Sequence, residues 1–171
     1  MVTVTTIIRR LDKKVFCLTL LSYIFFYGCQ PSFDEKLKSY IDESCPNIGL
    51  ASDCLISLSE FTKFKWDTVY VFSGLTYPQD ITQAIGFDCA CSILQDDYDR
   101  IVFTLNKKIV RQTDYHSGYF DIQFRKIDYL NPYSGTVYSS EAAKFYVKKK
   151  VTSSNKVLYD LFPVDRISNF N

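Results

Sequence analysis

The sequence predicts an α+β fold: a single antiparallel β-sheet of about five to seven strands, with one or two short helices packed on it and an N-terminal signal helix before it. Three observations predict it. Residues 66–72 are aromatic and β-branched on both strand faces, as in a strand buried on both sides. Residues 119–126 alternate between apolar and polar side chains. Residues 78–86 carry the start and stop signals of a short helix.

The helix at 78–86 is predicted from its two ends and its apolar face. Pro78 suits the first helical position, where its missing N–H costs no hydrogen bond. Gly86 supplies the left-handed residue that ends a helix. The apolar side chains recur at a helical spacing and form one face, at Ile81, Ala84 and Ile85.

The remaining strands are predicted from apolar runs bounded by turn residues. Two pairs of these runs flank short polar turns, at 106–108 and 153–155, and therefore predict hairpins. The polar stretch 33–44 carries apolar residues at a helical spacing, and this pattern fits either a tether or a short helix. The predicted strands are 55–61, 100–105, 109–115, 119–126, 144–151 and 156–162.

The N-terminus has the pattern of an export signal. Arg9, Arg10, Lys13 and Lys14 precede a largely apolar run at 15–27. That run is shorter than the ~20 residues of a spanning helix, and it matches the core of a signal peptide. The alternative is that this apolar run stays uncleaved and serves as a slightly short membrane anchor.

Gly28 and Cys29 follow this run directly, and then Gln30 begins a polar stretch. A small residue and a cysteine at this place resemble the processing site of bacterial lipoproteins, in which cleavage occurs just before the cysteine that carries the lipid. The resemblance implies lipidation at Cys29, a cell-envelope location and, if the bacterium is Gram-negative, the outer membrane. The expected organisation is a signal peptide at 1–28, a tether and turn region at 29–52 and a single α+β domain at 53–171.

An even number of cysteines remains after Cys17 and Cys29 are set aside, and an exported protein with four cysteines is expected to form two disulfides. We prefer links between the segment of Cys45 and Cys54 and the segment of Cys89 and Cys91. A Cys45–Cys54 bridge with a separate Cys89–Cys91 bridge is the alternative. The single-residue spacer of 89–91 fits neither zinc pairs nor thiol oxidoreductases.

Composition excludes several function classes. Loss of 1–28 removes four basic residues and one acidic residue, so the formal net charge falls from +1 to below zero. A basic domain for nucleic-acid binding is therefore not expected. Phosphate-binding glycine loops are absent from the sequence, so no cofactor is expected. With a single histidine, a His-rich zinc site is excluded, and no metal is expected.

Two kinds of functional residue are candidates. Asp114 and His116 could serve a small exported hydrolase, but a triad is assembled from distant positions and no nucleophile elbow occurs. A surface histidine is the preferred interpretation, and no catalytic residue is assigned. The tyrosines around the loop near 131–135 offer large contact areas at low entropy cost. Tyr129, Tyr133 and Tyr138 are therefore the candidate binding surface for a protein or glycan partner.

The stretch 58–86 joins a Trp-Asp-x-Val-Tyr-Val-Phe strand at 66–72, a loop with Tyr77 and a short helix ending at Gly86. This order resembles a family of uncharacterised small bacterial exported proteins, often labelled lipoproteins, and the hairpin at 100–115 also fits. The resemblance implies location and fold but no activity. The resulting hypothesis is a lipid-anchored envelope protein that binds a partner without catalysis. The alternatives are a small exported hydrolase and a secreted inhibitor of another protein.

Overall fold

The structure is a computed structural model, and it describes residues 31–46, 54–116, 122–125 and 135–164. The expected signal helix at 1–28 and the expected lipidation site Cys29 lie outside the described residues. The second of the two compact units of the chain begins at Phe33, and every element below belongs to it.

The described residues form three helices and eight strands. The helices are α1 (Phe33–Ser44), α2 (Leu58–Phe61) and α3 (Pro78–Ile85). The strands are β1 (Cys54–Ser57), β2 (Thr68–Phe72), β3 (Tyr98–Leu105), β4 (Lys108–His116), β5 (Ile122–Phe124), β6 (Thr136–Ser139), β7 (Lys144–Val151) and β8 (Val157–Pro163).

The strands form two sheets of four strands each. Sheet I has the order β1-β7-β8-β5, and sheet II has the order β4-β3-β2-β6. All pairings are antiparallel except that of β5 with β8. The α+β class agrees with this architecture, but the predicted single sheet is wrong. An alternating pattern shows which face of a strand is buried, whereas the choice of neighbouring strand depends on contacts far apart in the chain.

One hydrophobic core combines side chains from both sheets and from α1. Sheet I contributes Phe145 and Leu161, and sheet II contributes Val69 and Phe103, all of them fully buried. Helix α1 adds its own apolar face, which consists of Phe33, Leu37 and Ile41. The expected domain boundary at residue 53 placed this helix in a tether. Its apolar side chains belong to the core, so the packed unit begins at Phe33.

A second, smaller core lies on the opposite face of sheet II. Phe72 and Val102 of the sheet pack there with Ile81 and Ile85 of α3. Sheet II is therefore covered on both faces, which confirms the expectation that the 66–72 segment is buried on both sides. Helix α3 ends as predicted, because Gly86 has a φ of 80° and its N–H donates to the Thr82 carbonyl.

The two predicted hairpins are confirmed as β3–β4 and β7–β8. At the first turn, Asn106 and Lys107 both have positive φ, at 51° and 59°, as a type I′ turn requires. The predicted strand at 55–61 is shorter than expected, since β1 ends at Ser57 and the helical turn α2 follows. Strand β6 was not predicted, because it has only four residues and begins and ends with a polar side chain, Thr136 and Ser139.

Candidate functional site

Titratable side chains gather at the β3–β4 end of sheet II. Three successive cross-strand pairs lie there: Tyr98 with His116, Asp99 with Tyr115, and Arg100 with Asp114. Successive residues of a strand point to opposite faces, so the middle pair faces the main core and the other two face the side of α3. We call these six residues the polar end.

Arg100 is the most deeply buried charge of the polar end, with a side chain only 1% exposed. Its Nε donates to Asp114 Oδ1 at 2.6 Å, and a second guanidinium nitrogen donates to Oδ2 at 2.7 Å. The remaining terminal nitrogen donates to the Ser92 carbonyl at 2.9 Å. The bidentate pair with Asp114 is of the strong, planar type, and the hydrogen bond to Ser92 ties the loop before β3 to the sheet.

The hydrolase alternative needs Asp114 to assist His116, and the geometry gives each of them another partner. Asp114 accepts both hydrogen bonds from Arg100. His116 Nε2 lies 3.5 Å from Asp97 Oδ2, and its ring packs on Tyr98 with centroids 4.9 Å apart. Ser117, which follows His116 in the sequence, lies outside the described residues.

The inward-facing pair of the polar end is held inside the protein. Tyr115 is 4% exposed and donates from its hydroxyl to Asp99 Oδ2 at 3.2 Å. Burial, together with the negative charge of Asp99, raises the pKa of Tyr115 well above its ordinary value. Asp34 of α1 is also buried, and its Oδ2 has no hydrogen-bond partner among the described residues.

A narrow crevice between α1 and the two sheets has no room for a water molecule. Its lining is mainly apolar and comes from Phe33, Asp34, Leu37, Ile101, Tyr115, Ile122 and Phe124. It is too narrow to be a substrate cleft. Within the part of the chain that the structure describes, no three acidic, histidine or cysteine side chains are grouped for a metal ion.

We expect Tyr115 to make the fold sensitive to alkali. A phenol whose pKa is higher in the folded state stabilises the fold fully below the unfolded pKa of about 10, and this stabilisation is lost as pH rises toward the folded pKa. The free energy of unfolding should therefore fall above about pH 10 in the wild type. It should fall less steeply in Tyr115→Phe. Urea unfolding at a series of pH values measures both slopes, and equal slopes would contradict the assignment.

The four cysteines pair within their own segments. Cys45 is bonded to Cys54 with Cα atoms 5.9 Å apart, and Cys89 is bonded to Cys91 with Cα atoms 5.2 Å apart. The preferred prediction, which linked the two segments, is wrong, and the alternative pairing is the observed one. The physical reason is position: Cys54 lies on sheet I and packs against the main core, whereas Cys89 lies in the second core beyond sheet II.

The two disulfides should differ in their effect on stability. They close loops of unequal length, since the bonded residues are 9 and 2 positions apart. Chain-entropy arguments give about 2–3 kcal/mol for the first and about 1–2 kcal/mol for the second. Each disulfide has one buried cysteine, Cys45 or Cys89, so replacing either pair with alanine should remove a similar amount of packing. Thermal melts without reductant should rank the Cys45→Ala/Cys54→Ala variant below Cys89→Ala/Cys91→Ala, and the reverse order would refute this account.

Of the three tyrosines predicted to form a binding surface, only Tyr138 lies among the described residues. Tyr138 is 5% exposed, and its ring packs edge-on against Phe145 with centroids 5.0 Å apart. Its assignment to an exposed surface is therefore wrong, because β6 turns this side chain toward sheet I. Tyr129 and Tyr133 lie outside the described residues.

A buried carboxylate on sheet I was not predicted. Asp160 is 1% exposed, and its Oδ1 accepts a 2.9 Å hydrogen bond from Arg125 Nε. Lys150 Nζ contacts the other carboxylate oxygen. The alternation of β8 could have indicated a side chain on this face, but its ion partners come from β7 and from the residue after β5.

Exposed apolar side chains lie elsewhere, at Leu75, Tyr77 and Ile93. No role is predicted from the sequence for Leu75 or Ile93, and Tyr77 enters only the family resemblance. The composition of the sequence around these residues could have indicated them, since residues 73–99 contain five aspartates and neither lysine nor arginine.

Among the described residues, no helix has the length and apolar character to span a membrane. No protein-family model, no curated protein and no solved structure matches the chain.

Proposed function

We propose that this chain is an exported bacterial protein, anchored in the cell envelope by a lipid on Cys29, and that it acts by binding a partner rather than by catalysis. The observation that carries the proposal is the pairing of all four cysteines of the described domain in two disulfides. Disulfides persist in oxidising compartments outside the cytoplasm. The N-terminal pattern at 9–29 supplies the route of export and the lipid attachment point.

Three features support binding over catalysis. The groups at the polar end that could carry chemistry are engaged with one another, as Asp114 is with Arg100. The crevice beside α1 is too narrow for a substrate. Leu75, Tyr77 and Ile93 are half exposed or more and lie on two backbone segments joined by a hydrogen bond, and exposed apolar patches mark interaction sites when their members are grouped. A protein partner fits these side chains, whereas nucleic acid would require a basic surface.

The anchor is tested by labelled palmitate. We expect incorporation in cells that produce the wild type and none in cells that produce Cys29→Ala. The control is Cys17→Ala, which removes the other N-terminal cysteine and should leave labelling unchanged. Equal labelling of the wild type and Cys29→Ala would remove the lipid anchor from the proposal.

The binding role is tested against the hydrolase alternative by complementation of a deletion strain. His116 is the only histidine, so His116→Ala removes the general base that a hydrolase would use at neutral pH. We expect the variant to complement as well as the wild type. Loss of complementation with an unchanged melting temperature would instead favour the enzyme.

A further inference from the structure

The segment 73–99, which we call the acidic segment, covers the outer face of sheet II with α3 and its flanking loops. Its side chains Ile81, Ile85 and Leu94 fill the second core against that sheet. The segment contains five aspartates and no lysine or arginine. Every formally charged side chain in the segment is therefore acidic, and Asp88 and Asp96 are exposed.

Three apolar groups are exposed there, and the backbone brings them together. The N–H of Leu94 donates to the Thr76 carbonyl at 3.5 Å, and both of these residues are buried. This hydrogen bond joins the two backbone segments that carry Leu75, Tyr77 and Ile93. The side chains of these three residues are 50%, 56% and 61% exposed. We call them the 75/77/93 patch.

Two members of the patch stand where local structure favours other residues. Leu75 has a φ of 64°, a left-handed conformation that glycine or asparagine adopts at lower cost. Tyr77 is the N-cap of α3 and makes no side-chain capping bond, at a position where serine, threonine or aspartate stabilises a helix. Residues that weaken local stability and expose apolar surface are expected at functional positions.

Several contacts fix the backbone of the loops that carry the patch. Gly74 packs so closely on the neighbouring loop that a Cβ would lie 2.6 Å from the Asp96 carbonyl carbon. Arg100 binds the Ser92 carbonyl, and the Cys89–Cys91 disulfide closes the same loop. Because these loops are already ordered, little conformational entropy is lost when a partner binds.

Charge identifies the kind of partner. Asp96 is exposed and its backbone packs on Gly74, the neighbour of Leu75; Asp88 is exposed earlier in the loop that carries Ile93, and Asp80 lies in the first turn of α3, which Tyr77 caps. Such a rim favours lysine and arginine, and it repels an anionic lipid surface. We propose that the 75/77/93 patch is the docking site for a protein segment whose apolar side chains are flanked by lysine or arginine. This inference rests on the proposed binding function and names its surface.

Photocrosslinking in intact cells tests the site with the full chain. Benzoyl-phenylalanine replaces Tyr77 or Ile93, and the controls carry it at Val137 and Val151, which are similarly exposed at 51% and 56%. We expect both patch positions to crosslink to one protein, at a segment with apolar residues beside lysine or arginine. The yield should be at least about fivefold higher than at the control positions, because hot-spot contacts are local.

Two matched comparisons test whether a change in crosslinking yield comes from docking at the patch, from the net charge of the protein or from its stability. Asp88→Asn/Asp96→Asn should lower the crosslinking yield at position 93, whereas Glu43→Gln/Glu141→Gln, with the same change in net charge at other exposed positions, should not. Leu75→Asn/Tyr77→Ser should raise the melting temperature by about 2–6 °C and lower the yield about tenfold. Stability and binding should thus change in opposite directions.

Several outcomes would overturn the inference: equal yields at the patch and control positions, adducts to lipid alone, an acidic partner segment, or no capture at 77 and 93. Capture at 137 or 151 without capture at 77 and 93 would reject this surface and leave the binding function in place. Absence of capture at all four positions, together with a loss of complementation by His116→Ala, would reject both.

Discussion

Asp114→Ala is expected to lower the free energy of unfolding by about 3–5 kcal/mol, because it leaves the buried Arg100 charge without its counter-ion. The Arg100 side chain is 1% exposed in the wild type, so its charge depends on protein partners rather than on water. Both hydrogen bonds to Asp114 disappear, and only the one to the Ser92 carbonyl remains of those that fix the guanidinium.

The reverse substitution, Arg100→Met, is expected to cost less. The Asp114 side chain is 37% exposed and can be hydrated once its partner is gone. Methionine also fills much of the volume that arginine occupied. The double variant Arg100→Met/Asp114→Val, which removes both charges and places a β-branched residue on a strand, should lie closer to the wild type than Asp114→Ala does.

Equilibrium urea unfolding measures these three variants and gives the coupling energy from a double-mutant cycle. Trp66 is the only tryptophan and is buried in the main core, so its fluorescence reports loss of tertiary structure. If Arg100→Met proves more destabilising than Asp114→Ala, the assignment of the desolvation cost to the arginine is wrong.

The second large effect is expected at Phe103. Its side chain is fully buried in β3, and its ring meets those of Phe64 and Trp66 edge-on at 5.2 Å, with Phe33 at 6.1 Å. Phe103→Ala removes the ring that joins α1, the loop before β2 and sheet II. The expected loss is about 3–5 kcal/mol.

Phe103→Leu is the informative companion, because it keeps most of the buried volume and should cost less than about 1.5 kcal/mol. Phe162→Ala is the matched control on the outer face of sheet I, where the ring is only partly buried and lies 5.2 Å from Lys148 Nζ. Circular dichroism should follow these melts, since Trp66 contacts the mutated ring. A loss at Phe103→Ala no greater than at Phe162→Ala would show that the three elements do not depend on this residue.

Local sequence signals determined several elements by themselves. Pro78 and Gly86 delimit α3 because the constraints on proline and glycine act on the backbone of the residue itself. The β3–β4 and β7–β8 hairpins follow from turn residues between neighbouring apolar runs. The two-sided burial of β2 was also readable, since a strand without polar alternation needs cover on both faces.

Tertiary structure alone decided how these elements combine. Three choices depend on residues that are distant in the chain. They are the bonding of Cys45 to Cys54 or to Cys89, the orientation of Tyr138 toward solvent or toward Phe145, and the pairing of Asp114 with His116 or with Arg100. The separation into two sheets is of the same kind. Periodicity and turn chemistry act over a few residues, whereas sheet partners and ion partners are chosen by the packing of the whole domain, and no local pattern encodes that choice.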